Sequence, residues 1–135
     1  MNAFKLAGAA IAMMTMASGV AMAQPANDEA TLAAYMEEGA GVYTDFCSAC
    51  HGVNGEGGAG PQLANNAFVS GRSAIINQVL YGATDHGMPP FAPVLTDEQV
   101  AAVTTYVRNS FGNEYGLVLP RSVELRRTAG EEAAQ

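Results

Sequence analysis

The sequence predicts an all-α fold, on three observations. Apolar and small residues recur at steps of three and four along residues 28–50. A capping-box pattern, Thr96-Asp97-Glu98-Gln99, opens a second helical stripe. No stretch of useful length alternates apolar with polar residues as a half-buried strand would. The length of 135 residues suits one domain. A net charge of -7 argues against a nucleic-acid partner, which requires a basic face. The one long apolar run lies at the extreme N-terminus, which excludes a polytopic membrane protein, and two cysteines cannot build a disulfide scaffold.

Residues 1–23 read as a secretory signal peptide. Lys5 supplies the positive start, Leu6 to Met22 is uncharged and mostly Ala, Met, Ile and Val, and Ala21-Met22-Ala23 is a small-x-small cleavage site. An uncleaved anchor is the alternative, weakened by Gly8, Thr15, Ser18 and Gly19. The domain is then expected over 24–135, with a core at about 28–112 and a C-terminal extension over 113–135. Cleavage would remove the only lysine, leaving five arginines against 13 acids and no transmembrane segment. It would also leave Met36 and Met88 as the only methionines. The core is modest and lacks Trp, so a cofactor that adds apolar volume would help the chain fold.

The first helix is expected at about Asp28 to Cys50, capped by Asn27 or Asp28, with Leu32, Tyr35, Met36, Gly39, Val42, Tyr43, Phe46, Cys47 and Cys50 on its stripe. Gly39 inside it, lacking Cβ, would let another helix approach closely. Gly52 to Gly60 carries five glycines and ends at Pro61, a loop; no Gly-Lys-Ser/Thr follows, so it is not a phosphate cradle. Arg72 to Tyr81 has helical spacing at Ile75, Ile76, Val79 and Leu80, and Gly82 is a good stop. Ala83 to Leu95 is a second loop, stiffened by Pro89, Pro90 and Pro93. The helix opened by Thr96 should end near Ser110. A last short helix is expected within Leu117 to Gly130, with Pro120 in its first turn and Val123 and Leu125 partly buried.

Cys47-Ser48-Ala49-Cys50-His51 is the segment that carries chemistry. C-x-x-C-H is the c-type haem attachment signature. Cysteines at i and i+3 lie on one side of a helical turn, so both sulfurs can reach the vinyl groups of one porphyrin while His51 presents imidazole nitrogen to iron. Three duller readings compete: a small disulfide, a thioredoxin-like redox pair that would need a βαβ setting, and a zinc site, for which His86 is the only further histidine.

Iron needs a second axial ligand or an open site, and the choices are Met36, His86 and Met88. Met36 lies fifteen residues before His51 on the same predicted helix, about 22 Å along its axis, and reads as packing. Met88 follows His51 by 37 residues and stands in Gly87-Met88-Pro89-Pro90, where the prolines would hold the sulfur in place. His86 reads as a rim residue.

With these residues in order, the chain resembles the small bacterial class I c-type cytochromes, which carry a single haem. Gly39, Tyr43 and Cys47 stand like that family's approach to the haem motif, Cys47-Cys50-His51 matches the motif itself, Gly60-Pro61-Gln62-Leu63 looks like the loop after it, and Gly87-Met88-Pro89 before the helix from Asp97 looks like the distal loop. The resemblance implies the cytochrome c fold, with three main helices around one covalent haem c, and Gly39 and Tyr43 meeting Val103 and Tyr106. It implies cofactor contacts from Cys47, Cys50, His51, Pro61, Leu63 and Met88, with His51 and Met88 on iron. The Pro61 carbonyl would accept from the second ring nitrogen of His51, and Leu63 would pack on the porphyrin. The absence of Trp and, after cleavage, of lysine departs from the mitochondrial type. Arg72 is suggested as a propionate partner by its charge alone.

A thioether sulfur opposite imidazole favours ferrous iron and leaves no coordination site for substrate. The expectation is therefore one-electron transfer in the periplasm without bond-making catalysis, between a dehydrogenase donor and an oxidase or another cytochrome. A haem subunit held in a dehydrogenase complex is the second reading, and a gas-binding protein with an open distal site the third. The acidic surface would disfavour a negative partner face, and Phe91, Ala92 and Val94 are suggested as a small apolar docking patch.

Overall fold

In the computed structural model, residues 29–134 are described. The proposed leader and the caps Asn27 and Asp28 lie outside the described residues. Five α-helices follow one another: α1 (Glu29–Phe46), α2 (Ser48–His51), α3 (Arg72–Tyr81), α4 (Asp97–Asn109) and α5 (Pro120–Ala133). Short 3₁₀ turns stand at Ala67–Ser70 and Thr84–His86. Among the described residues there is no strand, only an isolated antiparallel bridge between Ala83 and Met88.

The predicted first helix is interrupted. α1 ends at Phe46 and the chain turns at Cys47 before α2 resumes. The Ser48 hydroxyl donates to the Thr44 carbonyl at 2.8 Å, one turn back, which offers that acceptor a side-chain donor. The backbone still climbs through the turn, with Cys47 N–H donating to Tyr43 O and His51 N–H to Cys47 O.

α1 crosses α4, and this is the most extensive helix–helix contact. A Cβ on Gly39 would overlap the Ala102 carbonyl and the Tyr106 Cβ. The expected close approach is real: Tyr106 is a partner as expected, the Ala102 carbonyl is the nearest group to Gly39, and Val103 is buried in the same core cluster as Tyr43. Tyr43 packs its ring 5.5 Å from that of Tyr106 and 5.2 Å from that of Phe111. Phe111 follows α4 with φ +60, a left-handed conformation uncommon for an aromatic residue. That turn brings its ring to Gly55, where a Cβ would collide with it.

α4 opens with the predicted capping box: Gln99 N–H donates to Thr96 Oγ1 and Thr96 N–H to Gln99 Oε1. α3 stops at Gly82, as predicted, where the backbone takes a positive φ of 69. α5 is longer than expected, fourteen residues beginning at Pro120. Val123 is fully buried, but Leu125 is 55% exposed. Two residues advance about 200° around a helix, so the two side chains cannot share one buried face. The stretch before α5 is also built into the interior through Leu117 and Val118.

Arg108 anchors the end of α4. Its guanidinium is buried and donates to the carbonyls of Val69 at 2.7 Å, Ser70 at 2.6 Å and Gly116 at 3.2 Å, and also to that of Tyr115. Burial, with Arg72 second, pulls its pKa below the usual arginine value.

Candidate functional site

The turn at Cys47 and the short helix α2 present the three residues of the motif. His51 is buried, Cys47 half-buried and Cys50 exposed. His51 Nδ1 lies 2.8 Å from the Pro61 carbonyl oxygen. A carbonyl only accepts, so Nδ1 carries a proton, and in the neutral ring Nε2 is the nitrogen with the lone pair. Gly60 lets the loop back closely onto the imidazole, since a Cβ there would come within 2.8 Å of His51 Cε1.

The loop after His51 is held by its own backbone. Gly57 N–H donates to His51 O, Gly60 N–H to Cys50 O, and Leu63 N–H to Gly55 O. Tyr43 donates its hydroxyl to Gly52 O at 2.7 Å, and burial above all pushes its pKa up to about 12. Asn113, buried after α4, donates to the carbonyls of Leu63 and Val107, each at 2.9 Å. Leu63 itself packs against the core.

Met88 comes from the other loop. It pairs with Ala83 through two backbone bonds of 3.0 and 3.1 Å, and Gln78 on α3 donates to its sulfur at 3.5 Å. The Phe46 and Phe91 rings meet edge to face at 6.2 Å, which joins the residue before Cys47 to the loop that carries Met88. Met36 is half-buried on α1 and His86 is exposed, each as expected.

One expectation fails. Phe91 and Ala92 do not form an exposed patch with Val94: both pack on the core, with their N–H groups bonded to the Val79 and Leu80 carbonyls, and only Val94 is exposed, at 57%. Arg72 lines a cleft of about 200 Å³ with Ser73, Ile76, Ser122, Leu125 and Arg126, and none of the site residues above lines it. Gln78, Asn113 and the Tyr43 hydroxyl have no motif that marks them as site groups, because each acts through a partner well beyond one helical turn in sequence.

Residues 34–107, more than half of the chain, match the family described as cytochrome c oxidase, cbb3-type, subunit III. The chain belongs to this family of c-type cytochromes. It is 33% identical over 111 residues to the fructose dehydrogenase cytochrome subunit of Gluconobacter japonicus, covering 70% of this chain and 23% of that one. It is 31% identical over 96 residues to the cbb3-type cytochrome c oxidase subunit CcoP of Azospirillum brasilense, covering 65% and 32%. It is 38% identical over 87 residues to cytochrome c6 of Thermosynechococcus vestitus, covering 58% and 72%. The chain thus spans about a quarter to a third of the first two relatives.

The cofactor of this cytochrome is haem c with iron, and the residues fit it. The two cysteines are separate thiols rather than a disulfide. Burial, with Cys50 second, pushes the Cys47 thiol up to about 11, so it is neutral near pH 7 and a poor partner for disulfide exchange. Among the described residues no three His, Cys, Asp or Glu side chains converge as a metal cluster, against the zinc reading. The helical setting is not that of a thioredoxin-like pair. No helix among the described residues is long and apolar enough to cross a membrane.

Proposed function

We propose that this cytochrome is a one-electron carrier whose haem is joined by thioethers to Cys47 and Cys50 and ligated by His51 and Met88. The observation that carries the reading is the His51–Pro61 contact. It fixes the ring orientation and, in the neutral ring, selects Nε2 as the nitrogen free to bind iron. Bound haem iron supplies the ferric–ferrous exchange of one electron. His51 would contribute a neutral nitrogen, its ring oriented by the Pro61 carbonyl. Met88 contributes a neutral sulfur, which favours the ferrous state and a raised potential. Pro61 and Gly60 keep the imidazole from turning, and the Ala83–Met88 bridge pins the Met88 backbone. With His51 and Met88 both holding the iron, no position would be left there for a substrate.

The leader-like residues 1–23 and the thioether chemistry support a periplasmic location, with other periplasmic redox proteins as partners. A second reading, a haem subunit of a dehydrogenase complex, is favoured by the likeness to fructose dehydrogenase and gluconate 2-dehydrogenase cytochrome subunits. Isolation from the native periplasm decides between them: a free monomer supports the carrier, and a larger complex with dehydrogenase activity supports the subunit.

The ligand set is tested by oxidised and reduced absorption spectra of the haem-matured protein. Low-spin spectra with a ferric sulfur–iron absorption are expected, and Met88→Ala should abolish that absorption. High-spin ferrous haem that binds CO rapidly would overturn the reading in favour of an open distal site.

A further inference from the structure

Beside a 2.6 Å bond from Arg126 Nη2 to Ser73 Oγ on α3, three further attachments hold the C-terminal helix α5. Val123 is buried in the core. The Tyr81 hydroxyl, at the end of α3, donates to the Arg126 carbonyl at 2.8 Å and sits where a Cβ on Gly130 would be. Arg127 reaches the loop between α3 and α4: Nε donates to Asp97 Oδ1 at 2.8 Å, Nη1 to Ala92 O at 2.5 Å and Nη2 to Leu95 O at 2.9 Å.

This third attachment differs in kind from the others. A planar guanidinium with three acceptors fixes their relative positions, which one hydrophobic contact does not. The Arg127 and Asp97 side chains are only 21% and 25% exposed, so the pair is screened less than a surface bridge. Ala92 and Leu95 belong to the turn that closes through Leu95 N–H to Phe91 O. Between Met88 and that turn stand Pro89 and Pro90, whose φ angles are locked. Two locked φ angles leave fewer rotations between Ala92 and Met88 to absorb a movement at Ala92.

We propose that Arg127 is a positioning residue for Met88: through this one guanidinium, the C-terminal helix keeps the methionine loop in the conformation that holds its sulfur on iron. The inference rests on Met88 being the axial ligand. A role in general packing would have a different signature. Local opening of a loop and global unfolding are separate equilibria, and Arg127 is assigned to the first.

The test uses the full-length chain matured with haem, comparing Arg127→Leu and Arg127→Lys with Arg121→Leu. Arg121 lies on the same helix and makes an exposed ion pair with Glu124 at 2.7 Å. Three quantities are read: the ferric sulfur–iron absorption, the rate of CO binding to the reduced protein, and amide hydrogen exchange at Phe91, Ala92, Val94 and Leu95. Arg127→Leu should weaken the absorption and speed both CO binding and exchange about tenfold or more, the factor that losing one charge-assisted hydrogen bond supports. Arg127→Lys should fall between, because an ammonium cannot match the fork, and Arg121→Leu should behave as the unaltered chain. Unchanged CO binding and exchange in Arg127→Leu would overturn the proposal even if the melting temperature fell. Should the leucine variant not mature, unchanged rates in Arg127→Lys would overturn it equally. Failure of Met88 ligation would show separately, as an absent sulfur–iron absorption in the unaltered protein, and loop exchange would still decide whether Arg127 holds the loop.

Discussion

Gln78 Nε2 donates to the sulfur of Met88 across 3.5 Å, from one turn before the end of α3 to the loop that follows it. With Met88 on iron as proposed, a donor on that sulfur would draw electron density away from the metal and so stabilise the ferrous state. Gln78→Leu is expected to lower the midpoint potential by about 20–60 mV, the one-electron equivalent of a net hydrogen bond. Protein-film voltammetry checks this, with an intact sulfur–iron absorption as the control that Met88 has not left.

The α1–α4 crossing depends on a missing side chain. Gly39→Val would force the Ala102 carbonyl and Tyr106 away from α1. Helix propensity would favour the change, but overpacking at the crossing outweighs it, with an expected loss of about 1–3 kcal/mol. Gly41, where a Cβ meets nothing, is the internal control. Thermal unfolding of Gly39→Val and Gly41→Val holoproteins should show a lowered midpoint for the first only.

Tyr43 gives the fold an alkaline limit. Its phenol is buried and its pKa is pushed up to about 12, chiefly by that burial, whereas an unfolded tyrosine titrates near 10. The folded state holds the proton more tightly, so the Tyr43 contribution is complete below about pH 10 and is lost as pH rises toward 12. Tyr43→Phe should cost about 0.5–1.5 kcal/mol at pH 7, through the lost bond to Gly52, and should flatten the fall in stability between about pH 10 and 12. Denaturant titrations followed by circular dichroism at several pH values measure both effects.

Arg108 is a buried cation bonded to backbone carbonyls of two separate stretches of loop and turn. Its removal would leave the Val69, Ser70 and Gly116 carbonyls without this donor. Arg108→Met is expected to cost on the order of 2–3 kcal/mol. Arg108→Lys should recover only part, because an ammonium cannot span the same acceptors. Chemical unfolding with an unchanged m-value would assign the loss to the folded state.

Much of this protein is legible in local chemistry alone. Capping at Thr96, the stop at Gly82 and the all-α composition depend on residues within a turn of one another, and the structure bears them out. The C-x-x-C-H segment likewise declares haem chemistry within five residues. The Pro61 acceptor for His51 is implied by resemblance and is present as a 2.8 Å contact.

What escapes the sequence is decided by tertiary packing. The break at Cys47 and the exposure of Leu125 follow from how each helix meets its neighbours. The inward turn of Phe91 and Ala92 follows from carbonyls on α3. Gln78 and Arg127 carry no motif, and each matters only because α3 and α5 bring it to the methionine loop. Periodicity and motif spacing determined which helices form and which group they hold. Only the folded chain determined which side chains fix that group's ligands, because hydrogen bonds between residues far apart in sequence have no local signature.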